Sequence, residues 1–384
     1  FGPDPSVRHF FRVSLAFWYT ASLLPLVVDA ALVDRVAAHL KRRSLAVTGR
    51  AAYYVALTFV VAEVCLRVYG LVADDRLSAR MLARQQTLTP GTELNGRRAN
   101  DLGYWDKPFQ LQRQSHVLRV AALGDATAVL SGTPQTNCLS QLEARVANVE
   151  VYNFGLAAAG PQEYAAQLRH DVAPYQPDLV LTFVSLNTDV HETLALPGAF
   201  DWRGLRLVQH GLGDAVITRQ ANDRLPACFD DRQRYLQAAA RQASVFRTPI
   251  ASEMRDQWQR VFAELTDLAD QCRQRSIAPV LVLVPARIQV DRPLRAELCR
   301  RAGLAEAQLD LELPQRKLLA FAAQSEIAVI DLLPHFRAAE GALYARNAQH
   351  LSDVGNSITA DVLCHWLQGR YADQVGIDAL AATQ

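Results

Sequence analysis

The chain has 384 residues, 50% hydrophobic and 21% charged, with 40 Lys+Arg against 39 Asp+Glu. That near-balance excludes the strongly basic surface of a nucleic-acid binder and the acidic bias of a disordered chain. The length suits two or three domains at roughly 150 residues each, and no internal repeat suggests a solenoid.

Apolar content is concentrated at the start. Val13–Val28 carries no charge, and as a helix it reaches ~24 Å, extending toward the ~30 Å of a bilayer core when its flanks up to Val33 are included. A second apolar run, Ala51–Ala62, is followed by Glu63 and Arg67, one helical turn apart. Between them lie Arg35, Lys41, Arg42, Arg43 and Arg50, the kind of short basic loop that stays on the cytoplasmic side. Residues 1–72 are therefore expected to form an apolar helical hairpin that anchors the chain in a membrane, with everything after it on the periplasmic or extracellular side. A pair of buried helices in a soluble domain is the competing reading. The opening at Phe1 suggests a fragment or processed form, and no cleavable signal peptide is expected.

Residues 73–114 are polar and turn-rich and read as a linker or strap. From Val117 onward, short runs rich in Val, Ile and Leu alternate with amphipathic segments. Strands are expected at Val117–Leu123, Val149–Phe154, Leu179–Leu186, Val280–Val284 and Ile327–Leu332. Helices are expected at Leu139–Ala147, Gln162–Val172, Glu253–Arg275, Gln315–Gln324 and Asp353–Gly369. Near-continuous apolar strands alternating with helices predict an α/β domain over 115–372 with a parallel sheet covered on both faces. Residues 190–252 break the rhythm and read as an insertion after the third strand, and 373–384 as a tail. Trp202, Arg203 and Arg206 in the insertion read as a solvated loop that could contact a sugar or anionic polymer. Cys65, Cys138, Cys228, Cys272, Cys299 and Cys364 lack metal-ligand spacing and read as buried thiols. No cofactor or metal is expected.

Polar residues cluster where strands end: Gly124-Asp125-Ala126-Thr127, Asn153-Phe154-Gly155, Asn187-Thr188-Asp189, and Asn347-Ala348-Gln349-His350 ahead of the last helix. Such loops can converge a nucleophile, amide donors and a base. The four blocks, VLRVAALGDATAVL, VEVYNFGLAAAG, PDLVLTFVSLN and NAQHLSDVGNSITA, resemble in order those of the SGNH (GDSL-type) hydrolases, which are mostly serine esterases, lipases, thioesterases and carbohydrate acetyl-esterases or acetyltransferases. The resemblance spans about Gly91 to Gly369 and implies a three-layer α/β/α domain with a parallel flavodoxin-like sheet. The apolar segment ending in Glu63 and Arg67 also resembles membrane-anchored members linked to extracellular polysaccharide acylation.

The resemblance assigns positions, and the residues there depart from the pattern. Ala126 stands where the serine nucleophile belongs, so no acyl-serine can form there. Asn347 replaces the carboxylate that orients the base, Ala158 the second-block glycine, and Ser185 and Thr188 the Gly and Asp around Asn187. Thr127 is adjacent to the empty position but is not expected to substitute. His350 and Asn187 remain as a vestigial base and amide donor, with Asp125, Ala126, Ala158 and Asn187 lining the oxyanion pocket. Asp125 is expected to stabilise its turn. The favoured reading is a membrane-tethered SGNH-like domain with a degenerate triad, binding carbohydrate or a partner in polysaccharide acylation. The rivals are an active esterase or O-acetyltransferase with another nucleophile, and a scaffold for a membrane acyltransferase.

Overall fold

The computed structural model describes residues 87–157, 159–192, 232–346 and 348–375, together with Leu57, Thr58 and Val61. The expected membrane hairpin, Trp202, Arg203 and Arg206, and the positions Ala158 and Asn347 lie outside the described residues. Among the described residues no helix is long and apolar enough to cross a membrane.

Five parallel strands make the central sheet: β3 (Leu118–Leu123), β4 (Val149–Asn153), β5 (Leu179–Ser185), β6 (Ala278–Val284) and β7 (Ala328–Asp331). Their order is β4-β3-β5-β6-β7, the flavodoxin-like arrangement that the resemblance implies. A small antiparallel pair, β1 (Glu93–Leu94) and β2 (Arg97–Arg98), precedes it.

The helices that follow are α1 (Cys138–Arg145), α2 (Pro161–Gln167), α3 (Thr188–Glu192), α4 (Arg232–Gln242), α5 (Ser252–Arg273), α6 (Arg287–Val290), α7 (Arg292–Ala302), α8 (Leu313–Gln324), α9 (Leu333–Ala338) and α10 (Asp353–Arg370). Strand β3 shows how the layers form. Its residues alternate between faces, as the pleat requires. Val120 and Ala122 join a core with Leu139 and Leu142 of α1 and Leu363 and Leu367 of α10. Ala121 and Leu123 join a second core with Tyr164 of α2 and Leu268 and Cys272 of α5. A strand buried on both faces needs apolar residues at every position, and all six of β3 are buried, Arg119 included.

Arg119 is tolerated at 1% exposure because its donors are all directed at fixed acceptors. Nε donates to Glu150 at 2.7 Å, Nη1 to the Tyr175 carbonyl at 2.7 Å, and Nη2 to the Gln112 carbonyl at 3.0 Å. Its guanidinium also lies 5.1 Å from the Tyr152 ring centroid. One cation thus pins the end of the strap, at Gln112, to the edge of the sheet.

Five helices fall outside the expected pattern: α3, α4, α6, α7 and α9. The insertion was expected to lack periodic structure, yet α4 lies within it and buries Tyr235, Leu236 and Ala239 in a core shared with Val184 and Leu186 at the end of β5. Helix α7 was not expected at all. The described cysteines, Cys138, Cys272, Cys299 and Cys364, are buried free thiols.

The strap carries a perturbed carboxylate. Asp106 accepts hydrogen bonds from Arg97 at 3.0 Å, from the Lys107 amide at 2.8 Å and from the Asn153 amide at 2.7 Å. Burial still outweighs these donors and lifts its pKa to about 6. A carboxyl raised in the folded state adds stability below its unfolded pKa of 3.8 and loses it as pH rises through about 6. The stability advantage of the wild type over Asp106→Ala is therefore expected to be about 1–1.5 kcal/mol larger at pH 5 than at pH 8, as read from urea unfolding. An advantage that grows toward pH 8 would contradict this account.

Candidate functional site

The strand-end loops converge as the sequence implied. After β3 the chain turns at Gly124, where an added β-carbon would meet the Phe183 Cβ at 2.9 Å, so the turn presses directly on β5. The Thr127 amide donates to Asp125 Oδ1 at 2.9 Å, closing an Asx turn. The second loop lies against the first: Leu156 N donates to Gly124 O at 3.1 Å, and a β-carbon on Gly155 would fall 2.3 Å from Val129. Asn153 spans the two, with its Nδ2 on Val129 O at 2.7 Å and its Oδ1 on Gly155 N at 2.8 Å.

Asp125 is the hub of this cluster. It is 4% exposed and accepts from the Thr127 amide, and also from three hydroxyls. These are Thr127 Oγ1 at 2.9 Å, Ser185 Oγ at 2.8 Å and Thr188 Oγ1 at 2.9 Å. A carboxylate has about four lone-pair sites, so these four donors satisfy it. Asp125 thus does more than the expected turn-stabilising task, because it bolts the first loop to the end of β5 and the start of α3. The departures from the family pattern at Ser185 and Thr188 supply two of the donors. Each of the three hydroxyls has given its single proton to Asp125.

His350 reaches the cluster from the other end of the domain. Its loop is stitched down at several points: Leu351 N donates to Thr127 O at 3.0 Å, Ala345 N to His350 O at 2.8 Å, and Tyr344 Oη to Pro285 O at 2.7 Å. Helix α10 then begins with Ser352 as N-cap, accepting from Gly355 N at 3.2 Å. Gly355 lets this turn approach, since a β-carbon there would lie 2.3 Å from the Leu343 carbonyl oxygen. The half-buried imidazole makes no hydrogen bond to a described residue. Burial lowers its pKa below the ordinary 6.5, partly offset by the negative charge of Asp125, so the ring is neutral at pH 7.

Asn187 sits close to this cluster but is already engaged. It is 3% exposed, and its Nδ2 donates to Gln242 Oε1 at 2.9 Å, so one amide proton goes to the last residue of α4. Its neighbour Asp189, completely buried, accepts from Ser185 N at 3.1 Å and from Tyr164 Oη at 3.2 Å. Ala126 is 8% exposed, packed with the core beneath the turn. Asp125, Ala126, Asn187 and His350 are thus brought into one region, whereas Ala158 and Asn347 are outside the described residues. Gln242 was missed in the sequence, and a lone Gln at a helix end gives no signal that would have found it. Chemically the cluster offers a neutral base and a spent set of hydroxyls. Among the described residues no group of His, Cys, Asp and Glu could hold a metal ion.

No family model matches this chain, and no curated protein matches it. Solved structures do resemble it in fold. An acetyl xylan esterase, AlAXEase, has 14% identity and a TM-score of 0.38 over 65% of this chain and 98% of its own. A GDSL-like lipase from Bacteroides thetaiotaomicron has 12% identity and a TM-score of 0.37 over 66% and 88%. The lipase/acylhydrolase from Enterococcus faecalis has 12% identity and a TM-score of 0.37 over 66% and 96%.

Proposed function

We propose that this is an SGNH-hydrolase-like domain that has lost serine hydrolysis. It binds carbohydrate or a protein partner in extracellular polysaccharide acylation, tethered to a membrane by residues 1–72. The observation that supports the loss is the hydrogen bonding around Asp125. With Ala126 at the nucleophile position, the hydroxyls of Thr127, Ser185 and Thr188 are the local alternatives, and all donate to the carboxylate. A hydroxyl whose proton is committed to Asp125 is not activated by His350, because general-base catalysis requires the base within hydrogen-bond reach of that proton. Neutral imidazole without a nucleophile does not perform acyl transfer.

The test is p-nitrophenyl acetate turnover, together with labelling by a fluorophosphonate probe that reacts with activated hydroxyls. Turnover is expected to equal that of His350→Ala, with no covalent adduct. Turnover that depends on His350, or a phosphonylated Ser or Thr, would favour the active-esterase reading. A multi-span membrane protein co-purifying in mild detergent would instead favour the scaffold role.

A further inference from the structure

A second concave region lies at the carboxyl ends of β6 and β7, where open α/β sheets place ligands. It is a cleft of about 470 Å³, within the range of small-molecule sites. Four guanidinium groups, from Arg287, Arg292, Arg295 and Arg337, line it, against one carboxylate, Asp291. That carboxylate is committed, receiving Arg287 Nε at 3.0 Å and capping α7 through Leu294 N at 2.9 Å.

Three of the four arginines are held, and most of the donors are left over. Arg287 Nη1 donates to Ala345 O at 3.1 Å, Arg295 donates to Glu306 at 2.6 Å and Ile288 O at 3.0 Å, and Arg337 Nη1 donates to Glu312 at 2.5 Å. Arg292 makes no hydrogen bond or ion pair with a described residue. A guanidinium carries five N–H donors in a fixed plane. Partners that fix the planes of Arg287, Arg295 and Arg337 while leaving donors over therefore pre-organise part of the wall for an oxyanion.

We propose that this cleft binds an acidic oligosaccharide, its carboxylates received by Arg292, Arg337 and Arg287. The proposal rests on the carbohydrate-binding reading above and names the class of sugar. The cleft is coupled to the strand-end cluster through Arg287. That residue holds the Ala345 carbonyl, and the Ala345 amide in turn holds the carbonyl of His350.

Isothermal titration of the full chain with trigalacturonate, with its fully methyl-esterified form, and with inorganic phosphate tests this. Trigalacturonate is expected to bind at least tenfold more tightly than the ester. Arg292→Glu and Arg337→Gln, each checked for an unchanged unfolding temperature, are expected to weaken trigalacturonate tenfold or more and leave the ester unaffected. Equal binding of acid and ester would overturn the proposal while leaving the carbohydrate reading standing, whereas binding of neither sugar would overturn both. Phosphate binding more tightly than trigalacturonate would reassign the arginines to a phosphoryl ligand and overturn the carboxylate assignment.

Discussion

Replacing Asp125 with alanine is expected to lower the free energy of unfolding by about 3–5 kcal/mol, because it leaves buried donors unsatisfied at roughly 1–3 kcal/mol each, offset in part where hydroxyls turn to other acceptors. The loss is large because four donors lose one acceptor together: the Thr127 amide and the hydroxyls of Thr127, Ser185 and Thr188. Each is buried, so water does not replace the carboxylate without reopening the loop. Asp125→Asn keeps the shape, its oxygen accepting from the Thr127 amide and Ser185 and its amide nitrogen donating to the Thr127 and Thr188 hydroxyls, which can turn to accept, so it is expected to cost less than Asp125→Ala. The hydroxyls can be removed with less damage. Ser185→Ala or Thr188→Val leaves the carboxylate three donors, and each is expected to cost about 1–2 kcal/mol. Guanidinium-chloride unfolding of these four variants checks the order. If Asp125→Ala proved milder than Ser185→Ala, Asp125 would not be the hub.

The same residues show what a sequence can and cannot disclose. The strands were legible because a parallel sheet covered on both faces needs unbroken apolar runs, and LVLTFVS at β5 or APVLVLV at β6 has no other common use. Helix α7 was overlooked because RPLRAELCRRA is nearly half charged and buries only Leu294, Leu298 and Cys299. Its boundaries were nonetheless written in the chain: Asp291 as N-cap, Pro293 in the first turn, and Gly303 in the left-handed conformation at the stop. Helix α4 was hidden for the same reason, and it carries Gln242 to Asn187. The Asp125 network is a different matter. Ser185 and Thr188 lie about sixty positions from Asp125, so a one-dimensional reading sees only that they depart from a pattern. Their purpose emerges once β3 and β5 pair side by side.

Restoring the missing hydroxyl is expected to reveal how much of an acyl-transfer site persists. Leu351 donates to the Thr127 carbonyl, so a serine at position 126 would stand on the turn that the His350 loop grips. Burial keeps that imidazole neutral, as a base must be. Ala126→Ser is therefore expected to acquire slow fluorophosphonate labelling that Ala126→Ser/His350→Ala lacks. One Asn187 amide proton is held by Gln242, which withholds it from a developing oxyanion. Adding Gln242→Ala frees it, and labelling is expected to accelerate by up to about 10²-fold, near the lower end of what a single oxyanion donor contributes. The pH profile follows from the sign of the imidazole's shift. Its folded pKa lies below 6.5, so the rate is expected to fall to half its plateau only below pH 6.5. Rates measured from pH 5 to 8 on the double variant check both points. If Gln242→Ala brought no acceleration, or the rate halved above pH 6.5, Asn187 and His350 would not be the remnants of an oxyanion donor and a base.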